Sequence, residues 1–340
     1  MELKKSLISV IMSNYNTPEE YLREAIESIL NQTYQNFEFI IVDDFSTDSS
    51  LKIIESYSDP RIKLLKNPQN IGLTKSLNRA LAVSKGEFIA RMDADDICSL
   101  TRFEKQVEYM KNHPEIIVCG SQLEIFGNGA YKFSNKFPKT FIPEKELFQI
   151  NLLFGNHINI PNNVAMFRHQ VMLDNNLKYN EKYPCAQDFR MWVDCSRKGE
   201  CQNINDVLVK YRIHDKAISS DKKDLQLDCA KSIMAEQLSW LKLELPEDWE
   251  TVHWGLLTGR KTFDLRYKNW MKTIIKHNKK YKVFNHKKLK NTLWDKWTEI
   301  VYFEFAKTKS IKAILSLPLS CYPRFFKIKK SRLSKENTNV

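Results

Sequence analysis

Over its first 120 residues the chain repeats one pattern, a short apolar run followed by a polar loop and an amphipathic helical stretch. The runs fall at 7–12, 37–42, 61–65, 87–92 and 116–120, and the helical stretches between them at 21–31, 49–58, 73–84 and 100–111. Strands that recur with a helix between each pair need right-handed crossovers, which gives an α/β fold with a mostly parallel sheet and helices on both faces. In such open sheets ligands collect beyond the carboxyl ends of the strands. Local signals agree: Thr17-Pro18-Glu19-Glu20 reads as a helix start with a capping Thr, Pro at the first position and Glu three residues after the cap.

The strand ends are where the polar residues gather. The first run opens into Ser13-Asn14-Tyr15-Asn16, the second into Asp43-Asp44, and the fourth, entered through Gly86, into Asp93-Ala94-Asp95-Asp96. Carboxylates packed this closely repel, and a divalent cation relieves the repulsion. Asp93 and Asp95 can divide the work, one holding a hard cation while the other reaches a neighbouring hydroxyl. The competing reading is a solvated turn in which Asp96 caps the helix at 100–111.

After Gly120 the pattern changes. Residues 121–137, with Gly127-Asn128-Gly129 at the middle and aromatics on either side, suggest a hairpin. A short strand is expected at 164–167, a helix at 187–193 with Asp188 in its first turn, and a final alternating strand at 206–213 closed by His214-Asp215. From Asp221 the chain reads as helical and aromatic-rich, with helices at 225–243, 249–257, 263–276 and 289–307 and an end, 313–333, that is apolar and then basic. The reading divides the chain into 1–220 and 221–340.

Charge divides it at the same place. Residues 1–220 carry 27 Lys+Arg against 28 Asp+Glu, and residues 221–340 carry 26 against 13, so the net +12 lies entirely in the last third. Such a module suits an anionic surface: membrane lipid, a pyrophosphate-bearing substrate or nucleic acid. Aromatics and cations interleave from Cys321 to Arg332, a composition that fits an anionic bilayer surface. The seven cysteines are scattered and never paired as CxxC, which argues for reduced thiols rather than a disulfide framework or a zinc site. With no signal peptide and no apolar run near the length of a spanning helix, a cytoplasmic protein is expected, peripheral on the inner face of the membrane if the tail binds lipid.

Taken together, 9–16, 28–34, 37–46, 70–73, 86–96, Gln187-Asp188 and Tyr211-Arg212-Ile213-His214 resemble a bacterial family 2 glycosyltransferase of the GT-A fold, of the kind that builds cell-surface polysaccharide. The resemblance covers about the first 220 residues. It implies that Ser13 and Tyr15 frame the nucleotide base, that Asp44 accepts from uracil N3, that Asn70 belongs to the nucleotide site, and that Asp93 touches ribose or metal. It further implies that Asp95 coordinates Mn²⁺ or Mg²⁺, that His214 reaches the metal or diphosphate, and that Asp188 is the catalytic base. The implied donor is a UDP-sugar and the implied acceptor a glycan, free or on a lipid diphosphate. Two departures stand out. Gln187-Asp188 replaces the frequent Glu-Asp, and Leu77-Asn78 replaces a frequent Arg-Asn, which leaves Lys75 or Arg91 to supply the missing cation.

The residue types are sufficient for that chemistry. Loss of a nucleoside diphosphate needs a cation to take up charge, and the acceptor hydroxyl needs a base. Carboxylate and imidazole suit Mn²⁺ or Mg²⁺, with His214 favouring Mn²⁺, and a single base opposite the leaving group implies inversion. Plainer readings stand beside these: Asp188 favouring the dipole of its helix, and His214 with Asp215 as a solvated turn pair. A sugar-nucleotide pyrophosphorylase would need a Gly-rich loop after the first strand, and Ser13-Asn14-Tyr15-Asn16 has no glycine. A nucleic-acid-binding protein using the basic third is a further alternative, but no RNA- or DNA-binding signature accompanies that charge, so no nucleic-acid partner is expected.

Overall fold

A computed structural model describes residues 6–128, 141–155, 160–214, 223–258 and 263–328. Contacts divide the chain into two compact units, Met1–Lys145 with His157–Ala230, and Glu146–Asn156 with Lys231–Val340.

The first unit is built on β1 (Ile8–Asn14), α1 (Glu19–Leu30), β2 (Phe37–Asp43), α2 (Ser50–Glu55), β3 (Ile62–Lys66), α3 (Leu73–Val83), β4 (Phe88–Asp93), β5 (Ile97–Cys98), α4 (Arg102–Asn112) and β6 (Ile116–Gly127). After α5 (Lys145–Leu153) come β7 (Met166–Arg168), α6 (His169–Asp174), α7 (Gln187–Lys198) and β8 (Glu200–Ile213). The sheet order is β3-β2-β1-β4-β7-β6-β8-β5. Strands β3, β2, β1 and β4 are mutually parallel, as are β6 and β8, whereas β7 and β5 run antiparallel to their neighbours and make the sheet mixed.

Strands β1, β2 and β4 are buried along almost their whole length because both faces are covered, while the edge strand β3 is only partly buried. Helix α1 turns Leu22, Ala25, Ile26 and Ile29 inward at helical spacing. The chain winds outward from β1 to β3 and returns to β4 on the other side of β1, so β1 and β4 flank the switch point at which α/β sheets bind ligands. Register there sets Ser13 beside Asp93 and Asn14 beside Asp43. Gly86 admits this pairing, since a Cβ on it would lie 2.4 Å from the Ser9 nitrogen.

Several local expectations change. The first helix is preceded by Pro18 with no side-chain cap, and the Thr17 carbonyl instead accepts from the Ser50 hydroxyl at 3.1 Å. Residues 121–127 continue β6, paired in parallel with a long β8 that begins at Glu200. The rest of that expected hairpin, 129–137, lies outside the described residues, as do Asp215 and the basic stretch 329–332.

In the second unit α8 (Lys223–Ser239, from Lys231 onward), α9 (Trp249–Thr258), α10 (Leu265–Tyr281), α11 (His286–Thr308) and α12 (Ile311–Leu315) pack with Ile150, Leu153 and Phe154 around Trp270, Met271, Leu293 and Trp297. Among the described residues no helix is long and apolar enough to cross a membrane.

Candidate active site

Period-two geometry in β4 sets Arg91 and Asp93 on one side of the strand. Arg91 is buried and its Nη1 pairs with Asp93 Oδ2. Burial by itself works against the guanidinium charge, but the Asp93 carboxylate outweighs it and the Arg91 pKa is raised. The Arg91 Nε has no hydrogen-bond partner among the described residues. Partial burial pushes the Asp93 pKa up, Arg91 opposes this, and the charges of Asp95 and then Asp188 push it up again, leaving it raised.

Asp95 follows on the loop and receives His214 Nε2 at 2.9 Å on its Oδ2. Asp93, Asp95 and Asp96 offer oxygens within 4.8 Å of one another. They are not equivalent. Asp96 is fully buried, and its carboxylate accepts from the Asn163 amide and, at 2.8 Å, from the Arg212 backbone N–H. It therefore anchors the loop to β8 instead of capping α4, and burial followed by the neighbouring acids holds its pKa well above the carboxylate range. Asp93 and Asp95 remain half-buried, and His214 is more deeply buried than either.

Arg212 closes the arrangement from β8. Its backbone holds Asp96, its Nε donates to the Asp95 carbonyl at 2.8 Å, its Nη2 pairs with Glu24, and its guanidinium lies between the rings of Tyr21 (4.1 Å) and Phe126 (4.4 Å). A planar cation with five donors suits that slot as a lysine would not. His214, two residues on, stands 5.4 Å from Tyr21 between ring centres.

The loops after β1 and β2 are stitched together. Asn14 Nδ2 donates to Asp43 Oδ1 (2.9 Å) and Ser46 Oγ (3.1 Å), and Asn16 Oδ1 accepts from the Thr47 N–H at 2.8 Å. Asn16 and Phe45 sit at φ 51° and 65°, and the stitched loops leave the Tyr15 and Phe45 rings exposed while Ser13 is half-buried beneath them. Asp44 is buried and holds the turn before α3, accepting from Asn67 Nδ2 (2.6 Å), Ile71 N (2.9 Å) and Gly72 N (2.8 Å). Gly72 is at φ 86°, a conformation that needs glycine. Asn70, at the tip of that turn, is exposed.

Asp188 stands half-buried in the first turn of α7, its Oδ1 accepting from the Phe189 N–H at 2.7 Å. The helix is fixed by Trp192, stacked on Phe167 of β7 with ring centres 5.8 Å apart. The segment leading to it is held by Asn78 of α3, which donates to the Tyr179 carbonyl at 2.8 Å and accepts from the Tyr179 N–H at 3.0 Å. Burial raises the Tyr179 hydroxyl pKa; Arg91 opposes this, and Asp188 and Asp93 add to it. Asp188 is thus one of the charges that act on Asp93 and Tyr179. Leu77 is buried in α3, whereas Lys75 on the same helix is exposed.

The structure thus brings Arg91, Asp93, Asp95, His214 and Asp188 together, with Ser13 in register beside Asp93 and Asp44 beneath the turn that carries Asn70. Sequence reasoning passed over Arg212, Asn163, Phe45, Asn67, Asn78 and Tyr179. Of these, Arg212 lay in the quoted Tyr211–His214 motif, and Asn78 in the position next to the missing arginine; nothing local marks Tyr179 or Asn163.

The sequence model of glycosyl transferase family 2 matches residues 9–172. An uncharacterized glycosyltransferase of Haemophilus influenzae is 37% identical over 242 residues, 69% of this chain and 74% of that protein. The Escherichia coli UDP-Glc:alpha-D-GlcNAc-diphosphoundecaprenol beta-1,3-glucosyltransferase WfaP is 32% identical over 239 residues, 67% of this chain and 86% of its own. Among solved structures, S. aureus TarS 1–349 in complex with UDP-GlcNAc superposes with a TM-score of 0.58 over 90% of this chain and 88% of TarS, at 18% identity, a likeness of fold. The acid-lined sheet end described above, carried by a chain with this family match and these relatives, is that of a glycosyltransferase, and the chain belongs to glycosyl transferase family 2.

Proposed function

We propose that the chain moves a hexose or N-acetylhexosamine from a UDP-sugar to a hydroxyl of a glycan carried on a lipid diphosphate, with inversion, using a divalent cation, in cell-surface polysaccharide assembly at the inner face of the membrane. The observation that carries the reading is the gathering of Asp93, Asp95 and His214 at one strand end, with the Asp188 carboxylate among the charges that raise the Asp93 pKa. The donor and acceptor classes are supported by the named specificity of WfaP and by the ligand bound to TarS.

The donor set of two half-buried carboxylates and an imidazole fits Mn²⁺ or Mg²⁺, and Asp93, Asp95 and His214 would hold it. Bound there, such a cation neutralises charge on a departing diphosphate. Arg91 orients Asp93 and favours its ionised form. Ser13 and Tyr15 frame the nucleotide base, with Asp44 and the turn through Asn70 beside it. Asp188 removes the proton of the acceptor hydroxyl as its oxygen bonds to the anomeric carbon, and the bond from that carbon to the diphosphate breaks with its electron pair leaving on UDP. One displacement, and one base facing away from the leaving group, invert the centre.

Screening UDP- and GDP-sugars for donor hydrolysis with and without Mn²⁺ tests the reading. Turnover of a UDP-hexose or UDP-N-acetylhexosamine that EDTA abolishes is the expected result. Metal-independent turnover, or a preference for GDP-sugars, would overturn it.

A further inference from the structure

The last helices of the second unit carry two apolar stripes. Ala313, Leu317, Cys321 and Phe325 recur at intervals of four and are buried against the helical core. A second series at the same interval, Ile311, Leu315 and Leu319, is 69%, 72% and 86% exposed, and Phe326, in the helix over 322–328, is 58% exposed. A core needs only the first stripe. Four large apolar side chains exposed within residues 311–326 mark an interaction face, whereas ones scattered singly over a chain do not.

The charges next to these residues in the sequence are basic. Lys307, Lys309, Lys312 and Lys327 are exposed beside it, and Arg324 pairs with Asp295 at 2.7 Å. Between Glu304 and Glu336 the sequence contains no acid, and it continues with Lys329, Lys330, Arg332 and Lys335. Apolar residues ringed by cations complement a bilayer that presents anionic headgroups over hydrocarbon, since aliphatic side chains enter the interface while lysines meet phosphate.

We propose that Ile311, Leu315, Leu319 and Phe326 form the face by which this protein seats itself on an anionic lipid surface, with Lys307, Lys309, Lys312 and Lys327 as its electrostatic rim. The assignment gives a surface to the membrane location proposed above, and it stands on exposure and charge within the second unit alone. It also shifts emphasis from the aromatic and basic stretch at 321–332 to the aliphatic stripe before it.

Co-sedimentation of the full chain with phosphatidylcholine vesicles, with and without phosphatidylglycerol, tests it beside Leu315→Glu/Leu319→Glu and Lys309→Glu/Lys312→Glu. The expected result is binding to the anionic vesicles only, weakened about tenfold or more by either double variant, with donor hydrolysis in solution unchanged. Binding that both variants retain, or no binding to anionic vesicles, overturns the proposal. So does a mass doubling in light scattering that Leu315→Glu/Leu319→Glu abolishes, because the occupant is then a second copy. Vesicle binding by a protein that hydrolyses no nucleotide-sugar would refute the transferase mechanism and leave the lipid-binding face standing.

Discussion

The two units handle buried polarity in opposite ways. The first buries charges: Glu38, Asp43, Asp44, Arg91, Asp96, Arg102 and Arg212 all lie inside it, most of them at strand ends or against the acidic loop. Among the described residues of the second, the buried polar ones are Gln237, His253, Asn278 and Thr298, and none carries a charge. His253 donates from Nε2 to the Leu153 carbonyl at 2.9 Å and accepts on Nδ1 from the Trp270 indole at 3.1 Å, so its ring is satisfied as a neutral group. Burial lowers its pKa to about 4. Asn278 likewise completes the Phe284 backbone in both directions. Burying charge costs stability unless each charge is partnered, so an unbalanced concentration of it points to chemistry, and a self-contained neutral set points to packing. In the second unit Lys307, Lys309, Lys312 and Lys327 lie on the outside.

The largest effect that would break this contrast is in the first unit. Asp95→Ala is expected to lower donor hydrolysis and transfer together by about 10³-fold or more, the several kcal/mol of leaving-group stabilisation converted at 1.4 kcal/mol per decade, while the melting temperature holds. A variant with both activities within tenfold of the parent would show that the acidic loop is structural.

Asp188→Asn separates the two halves of the reaction. Transfer should fall by about 10²–10⁴-fold, with UDP affinity from isothermal titration within a few-fold of the parent. Normal transfer would remove the base from the mechanism, and lost UDP binding would mean that the side chain shapes the donor site instead.

The smallest effect belongs to the second unit. His253 is neutral when folded and protonates near pH 6.5 when unfolded, so between those values the unfolded chain binds the extra proton. Stability from this group is complete above about pH 6.5 and is lost as pH falls toward 4, by about 3 kcal/mol. Six of the seven tryptophans, Trp240, Trp249, Trp254, Trp270, Trp294 and Trp297, follow residue 230, so urea unfolding read by tryptophan fluorescence isolates it. His253→Phe should flatten that slope, and an unchanged slope would place the acid sensitivity elsewhere.

Strands, helices and the acids at their ends were legible in the sequence because each depends on neighbours a few residues away. Asp188 was placed in the first turn of its helix, and the helix does begin at Gln187. The pairing of 121–127 with the distant β8 was not legible, because periodicity marks a strand without naming its partner. The long helices after 221 were also readable from their apolar spacing, although the assignment of Glu146–Asn156 to their unit was not.

By itself, then, the sequence determined the run of βα units, the switch point they create, and the row of carboxylates that must stand there. Only the tertiary structure decided which carboxylate stays open and which is consumed. Pairing of β5 with β8 carries Arg212 onto Asp96 and His214 onto Asp95, contacts that span 116 and 119 residues. The reason is physical: a hydrophobic repeat fixes which way a side chain points from its own element, but burial and hydrogen-bond partners are set by whichever distant strand the register brings alongside.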